Sequence, residues 1–346
     1  MKKNLFEQLE RERRKVDFDT FDISVKELVN MVLQGIINIA PAYQRMFRWP
    51  NENQSRFVES VFLGIPIPSL FTAANSNGSW ELIDGVQRLS SLIRFIADDD
   101  ELARMGIKDG PLKLSGMDIL HDFNGKSFLD LDASMQLKFQ LRPIKITTLS
   151  DKSDLKVRFD LFERLNTGGV KLTPQEIRGC VYRGRFNDFL SKLSQYESFN
   201  RCVNLSELKQ RDGSREELVL KFFAYLYDRH SFDHSVIDFL NDFMVKASEQ
   251  FDYREGEEIF NRVFEDLSVE LPGGIKRGNR NITPINLYEA ITVGAADAIN
   301  RGYSVIGKNV HEWINDRELT VLTSGATNSK KRVVERIDYC YLNFSS

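Results

Sequence analysis

Through residues 1–150 the apolar positions switch repeatedly between a two-residue period and a three-to-four-residue period. Leu5, Phe6 and Leu9 form one thin stripe in a charged opening, which predicts a short N-terminal helix. Phe18 to Ile23 reads as a strand, and Leu28, Val29 and Val32 give one apolar face to a helix over Val25 to Leu33. A further helix, Asn51 to Leu63, turns Phe57, Val58, Val61 and Phe62 inward and stops at Gly64, with Pro66 and Pro68 beyond it. Ser69 to Ala74 and Trp80 to Ile83 predict paired strands joined by the Asn75-Ser76-Asn77-Gly78 turn. Leu141 to Leu149 is another strand. Short strands interleaved with helices predict a small α/β lobe over residues 1–150.

From residue 151 to residue 346 the period is helical. Asp154 to Leu165 carries Leu155, Phe159, Phe162 and Leu165 on one stripe. Thr173-Pro174-Gln175-Glu176 has the form of a capping box with proline at the first helical position. Ser214-Arg215-Glu216-Glu217 has the form of a second box, opening a helix with Val219, Phe222, Phe223 and Leu226 inward. Breaks fall at Pro272-Gly273-Gly274, at Gly302 and at Ser324-Gly325. The fold class expected is α+β, an α/β lobe followed by a mostly helical one.

Composition adds bounds rather than a function. The chain has 346 residues, 42% hydrophobic and 28% charged, with a net charge of −3. That gives no overall nucleic-acid signature. The distribution is less even: residues 141–229 hold 17 basic against 12 acidic side chains, residues 230–270 hold 3 against 11, and residues 271–346 hold 10 against 7. Basic segments on both sides of an acidic block can build a one-sided basic face, or can be ordinary variation among solvated helix surfaces. Cys180, Cys202 and Cys340 are widely spaced and odd in number, which fits a reducing cytoplasm and no zinc or disulfide framework. No apolar run reaches membrane-spanning length.

The densest chemistry lies at Trp80-Glu81-Leu82-Ile83-Asp84-Gly85-Val86-Gln87-Arg88-Leu89. A strand pattern ends in Asp-Gly, and Leu89, Leu92, Ile93 and Ile96 then follow a helical period. A carboxylate, a permissive glycine, an amide and a guanidinium thus meet at a strand exit, where open sheets place their chemistry. Asp84 is the candidate catalytic carboxylate; the plainer reading makes it a cap for the next helix. A second cluster, Tyr43-Gln44-Arg45-Met46-Phe47-Arg48-Trp49-Pro50, interleaves arginines with aromatics. Arginine binds phosphate through paired hydrogen bonds and aromatic faces stack bases, although the same residues also suit a loop that plugs a core.

Taken in order, YQRMFRWP, RFVESVFLGIPIPSLF, ELIDGVQRLSSLIRF and FERLNTGGVKLTPQEIRG resemble the domain of unknown function 262 family. That family includes the ParB-like N-terminal half of GmrS/GmrD-type modification-dependent restriction systems. The motifs cover residues of about 40 to 180, and RDGSREELVL resembles the family's next segment. Val86 replaces the first glutamine of the family's usual DGQQR, and Met46 and Phe47 replace the proline and tyrosine of its QRPY. The resemblance implies a ParB-like N-terminal lobe with a pocket built from Asp84, Gly85, Gln87 and Arg88 together with Tyr43, Gln44, Arg45, Phe47, Arg48 and Trp49. It also brings in Asn166 and Thr167 from the Asn166-Thr167-Gly168-Gly169 stretch, which on its spacing alone is equally a glycine helix terminator.

Two basic, glycine-containing loops suit a phosphate backbone: one with Lys276, Arg277 and Arg280, the other with Lys330, Lys331 and Arg332. No metal site is expected, because His121, His230, His234 and His311 have no third ligand at matching spacing, and no phosphate-loop motif is present. The two-part family members carry an HNH-type nuclease half, which these four histidines do not supply. The resemblance implies a prokaryotic anti-phage protein acting on double-stranded DNA with modified bases, such as glucosylated hydroxymethylcytosine. The first chemistry to consider is hydrolytic excision of the modified base with no cofactor: the aromatics stack a flipped base while Asp84 serves the sugar or the water, Gln87 and Arg88 beside it. The alternative is a restriction sensor that hydrolyses NTP with Mg2+ and works with a separate nuclease. A non-catalytic DNA-binding adaptor is the third class.

Overall fold

Five short runs rich in β-branched and aromatic residues assemble into one mixed sheet. The computed structural model describes residues 5–13, 17–39, 49–107, 109–151, 153–165, 172–210, 212–278, 281–325 and 328–346. The fold is α+β. Strands β1 (Phe18–Ser24), β2 (Ile37–Asn38), β3 (Leu70–Ala74), β4 (Trp80–Asp84) and β5 (Pro143–Leu149) lie in the order β1-β5-β3-β4-β2. The pairs β1–β5 and β3–β4 are antiparallel, and β3–β5 and β2–β4 are parallel. Phe71 lies opposite Asp84, with a register shift between Phe71 and Thr72.

The helices of this half are α1 (Leu5–Arg13), α2 (Val25–Leu33), α3 (Asn51–Leu63), α4 (Val86–Ile96), α5 (Asp99–Arg104), α6 (Ala133–Gln140) and α7 (Leu155–Leu165). Their apolar stripes explain the packing. Leu28, Val58, Leu89 and Leu92 join Leu70, Leu82, Ile144 and Ile146 in one core. Phe62, Phe95 and Phe139 close it, with the Phe62 and Phe139 ring centroids 4.5 Å apart. By strand alternation, Ile83 and Phe71 face away from that core. There they line a cavity of about 350 Å³ with Leu161 and Leu165 of α7.

The chain forms two compact units, Met1–Leu172 and Thr173–Ser346. The first unit runs past residue 150, where the pattern alone put a boundary, because α7 packs its leucines beside the sheet. The described part of the second unit is helical: α8 (Pro174–Val181), α9 (Arg185–Leu193), α10 (Glu197–Cys202), α11 (Ser214–Asp228), α12 (Val236–Glu249), α13 (Tyr253–Glu270), α14 (Ile285–Asn300), α15 (Val310–Trp313), α16 (Arg317–Thr323) and α17 (Lys330–Ser345). Phe222, Phe223, Phe260 and Phe264 form its aromatic centre. Gly294 lets α14 and α17 meet closely, since a Cβ there would lie 2.7 Å from that of Cys340. A buried chain of charges crosses this unit. Arg178 reaches Glu217 at 2.7 Å, Lys221 lies 3.2 Å from Glu289, and Glu289 also takes Arg336.

The Thr173 capping box forms, with Thr173 and Glu176 each bonding the other's backbone. The box expected at Ser214 does not form. Gly213 is the cap, at φ 78°, and Ser214 is already helical with its N–H on the Asp212 carboxylate at 3.1 Å. A left-handed residue is needed at this entry, and glycine adopts that conformation without strain.

One carboxylate organises the loop that follows α5. Glu59 of α3 is buried and accepts the backbone N–H groups of Leu120 at 2.7 Å, Ile119 at 2.9 Å and Asp118 at 3.4 Å. Burial alone would raise its pKa, but these amides outweigh it and hold the carboxyl below its ordinary range. A depressed folded pKa contributes stability above the unfolded value, and that contribution is lost as pH falls through the folded one. Glu59→Gln should therefore cost about 1–3 kcal/mol at pH 7. The gap in thermal midpoint between the two proteins should narrow steadily on acidification below about pH 4.3, the ordinary glutamate value. A pH-independent gap in the melting curves would contradict this role.

Candidate functional site

The site grows from the end of β4. Asp84 is its last residue, Gly85 follows at φ 100°, and α4 starts at Val86. A Cβ on Gly85 would lie 2.2 Å from Cδ2 of Leu70, so both conformation and space select glycine. Helix α4 opens with no side-chain cap. The Asp84 carboxylate does not take that role. Its Oδ2 accepts from Nη2 of Arg88, one helical turn on, at 2.6 Å. The plainer reading of Asp84 as a helix cap is thereby replaced by an ion pair across the first turn.

Arg88 is held from its other side as well. Its Nη1 donates to the Pro68 carbonyl and, at 3.1 Å, to the Ser69 carbonyl. The prolines at 66 and 68 have no N–H for a ladder, so this segment stays outside the sheet before β3 and its carbonyls turn to the guanidinium. Burial pulls the Arg88 pKa down, and the Asp84 charge opposes that pull. The guanidinium remains charged throughout the working pH range.

Gln87 takes a different direction. Its Oε1 accepts the backbone N–H of Trp49 at 3.2 Å, while Gln54 of α3 donates from Nε2 to the Trp49 carbonyl at 2.7 Å. The described ends of the two sequence clusters therefore meet through one residue's backbone. The Trp49 ring packs on the core, edge-on to Phe57 with centroids 6.1 Å apart. Tyr43, Gln44, Arg45, Phe47, Arg48, Asn166 and Thr167 lie outside the described residues, as does Arg280. Gln54 had no place in the sequence-based set. Its signal was a polar residue on the inward stripe of α3, one turn before Phe57 and Val58.

In the second unit the two basic loops touch. Arg277 donates from Nη2 to Thr323 Oγ1 at 2.6 Å and from Nη1 to Ser324 Oγ at 3.2 Å. Lys276 is half-buried near Gly273, and Gly274 has no room for a Cβ beside Asn204 and the Cys202 carbonyl. The 273–278 loop is thus a packed element and not only a solvated one. Lys330 and Lys331 are exposed and Arg332 is half-buried, in the first turn of α17 behind the Ser329 cap. Among the described residues no group of three or more His, Cys, Asp or Glu could hold a metal ion, and no helix is long and apolar enough to cross a membrane.

Residues 25–183 match the family model described as GmrSD restriction endonuclease, N-terminal domain. The match begins at α2, ends just beyond α8 and takes in the Asp84–Arg88 turn, just under half of the chain. No curated protein and no solved structure matches the chain.

The turn makes a direct prediction. Gly85→Ala adds a methyl group against Leu70 and a left-handed penalty of about 1–2 kcal/mol. Thermal unfolding should show a loss above that figure, because Leu70 is buried and cannot swing away freely. A variant melting within a degree of the parent would show that the turn can adopt another shape.

Proposed function

We propose that this chain is a restriction-type defence protein directed at phage DNA with modified bases, and that its Asp84–Arg88 turn binds the phosphates of a nucleoside triphosphate. The family match supports the first part. The observation that carries the second is the uncapped start of α4, directly after a left-handed glycine and beside an anchored arginine. Helix N-termini favour anions through backbone N–H groups and the helix dipole. Arg88 adds a fixed positive charge. Asp84 has Oδ2 engaged with Arg88, while no bond to Oδ1 occurs among the described residues. One carboxylate together with phosphates is the usual way Mg2+ is held, so the donor set fits that ion arriving with its nucleotide. The ion would neutralise phosphate charge; Asp84 would hold it, and Arg88 would keep Asp84 aimed.

Base excision ranks second. It asks for a carboxylate at liberty to serve a sugar or a water, and for rings at liberty to stack a base. The Trp49 ring, the one ring of the Tyr43–Trp49 cluster among the described residues, is packed on the core. On the nucleotide reading, hydrolysis reports recognition of modified DNA and a separate nuclease cuts it.

The test combines purified protein, NTP, Mg2+ and either modified or unmodified DNA. Phosphate release stimulated by modified DNA, and lost in Asp84→Asn and in Arg88→Ala, is the expected result. Alkali-labile sites appearing in modified DNA without nucleotide would instead establish base excision. Absence of both nucleotide binding and nucleotide turnover would overturn the proposal.

DNA contact is assigned to the start of α17. Replacing Lys330, Lys331 and Arg332 together by Ala should weaken binding to every sequence alike. It should also flatten the plot of log affinity against log salt by about 0.9 for each phosphate no longer neutralised, or about 2.7 for three. Arg277→Ala should act differently and lower the melting temperature, because that side chain ties two loops together. An unchanged salt slope in the triple variant would remove this surface from the DNA interface.

A further inference from the structure

We infer that Gln54 and Gln87 are positioning residues: together they clamp the Trp49 backbone between the first turns of α3 and α4. Gln87 Oε1 receives the Trp49 N–H at 3.2 Å, and Gln54 Nε2 reaches the Trp49 carbonyl at 2.7 Å. Neither bond is part of a helix or a strand ladder. Together they join the segment entering α3 to the turn that carries Asp84 and Arg88.

Three observations give the clamp weight. First, Gln54 is 3% exposed, and its Oε1 is buried with no hydrogen-bond partner among the described residues. Leaving a buried acceptor unsatisfied is costly, and a leucine or methionine on this inward stripe would avoid that cost. The amide is retained for the bond its nitrogen makes. Second, Gln87 lies in the same turn as Arg88, so a shift of the Gln87 side chain moves the helix start that sets the Asp84–Arg88 pair. Third, a further polar bridge ties the same two helices, from Arg94 Nη1 on α4 to Asn51 Oδ1 on α3 at 3.1 Å. The α3–α4 contact is thus held by directional bonds near the site as well as by apolar packing. With Oε1 on Trp49, Gln87 acts through the position of the turn.

The experiment has one arm without any ligand and one that rests on the nucleotide reading above. In the first, amide hydrogen exchange at Trp49 is measured in the parent and in Gln87→Leu, Gln87→Glu and Gln54→Leu. Loss of one hydrogen bond should speed exchange about fivefold to tenfold in both leucine variants. Glu keeps an acceptor oxygen at the same reach and should restore the protection. Exchange unchanged in Gln87→Leu overturns the clamp, whatever the activity.

In the second arm, NTP turnover is followed in the same proteins. A positioning role predicts that kcat falls about tenfold in Gln87→Leu with KM little changed, and recovers in Gln87→Glu. A rise in KM without recovery in Gln87→Glu would mean that Gln87 touches the substrate, and overturns the inference. So would full activity in a leucine variant that has lost Trp49 protection. If the parent turns over no nucleotide, the proposed function fails, and the exchange arm alone still decides the clamp.

Discussion

Arg88 is largely buried, and a buried guanidinium needs partners on every side that water has left. It finds one in Asp84, at the end of β4, and two more in the carbonyls of Pro68 and Ser69, just before β3. Two stretches of chain that are separate in sequence, residues 68–69 and residues 84–88, therefore meet at one cation. The geometry around it follows from that meeting. Gly85 must be left-handed to bring α4 back over the strand, and Leu70 fills the space where a side chain at residue 85 would have been. Asp84 is then oriented by a bond to its own helix and not by a flexible loop. An arginine–carboxylate pair is directional, and here one carboxylate oxygen is engaged while the turn around it is rigid.

Much of this was legible from periodicity. The apolar stripes gave α2 and α3 with the ends the structure shows, and the strand–turn–helix at Asp84 follows directly from the change of period there. Elements that lack a stripe escaped notice. Strand β2 is only two residues long, and of the eight residues of α6 only Phe139 is buried. Capping was readable at Thr173, where proline already commits the chain to helix. It was misread at Ser214, where the preceding glycine supplies the left-handed entry and makes the serine cap superfluous. Partners were the least legible. Gln87 meets a backbone N–H 38 residues away, and Arg277 meets hydroxyls 46 and 47 residues away. Each residue type allows many partners, and only the folded chain selects one.

The second unit solves a harder electrostatic problem. Arg178, Lys221 and Arg336 are buried, with Glu217 and Glu289 between them. Such a chain is weak evidence for stability, since desolvating the charges offsets most of their attraction. It does impose order. Arg178 lies on α8, Glu217 and Lys221 on α11, Glu289 on α14 and Arg336 on α17. Each charge is tolerable only when its neighbour is in place, so these helices have one arrangement that leaves none unpaired. The family match ends just past α8, so the last helix of the matched segment is set by charges that lie outside the match.

The same reasoning separates basic residues that hold the fold from those that face outward. Arg277 bonds two hydroxyls and closes one loop on another, so its charge is already engaged in holding the unit together. The cations at the start of α17 are in the opposite position. Lys330, Lys331 and Arg332 occupy the first turn, where the helix dipole disfavours positive charge. The Ser329 side chain already caps the helix, so nothing in the capping requires them. The Lys331–Glu335 pair is 3.7 Å long and solvent-exposed, a geometry worth little. Helix stability does not account for three cations in that turn. The DNA contact proposed above would, because the dipole that repels lysine attracts phosphate, and the lysines would then add to that attraction instead of opposing it.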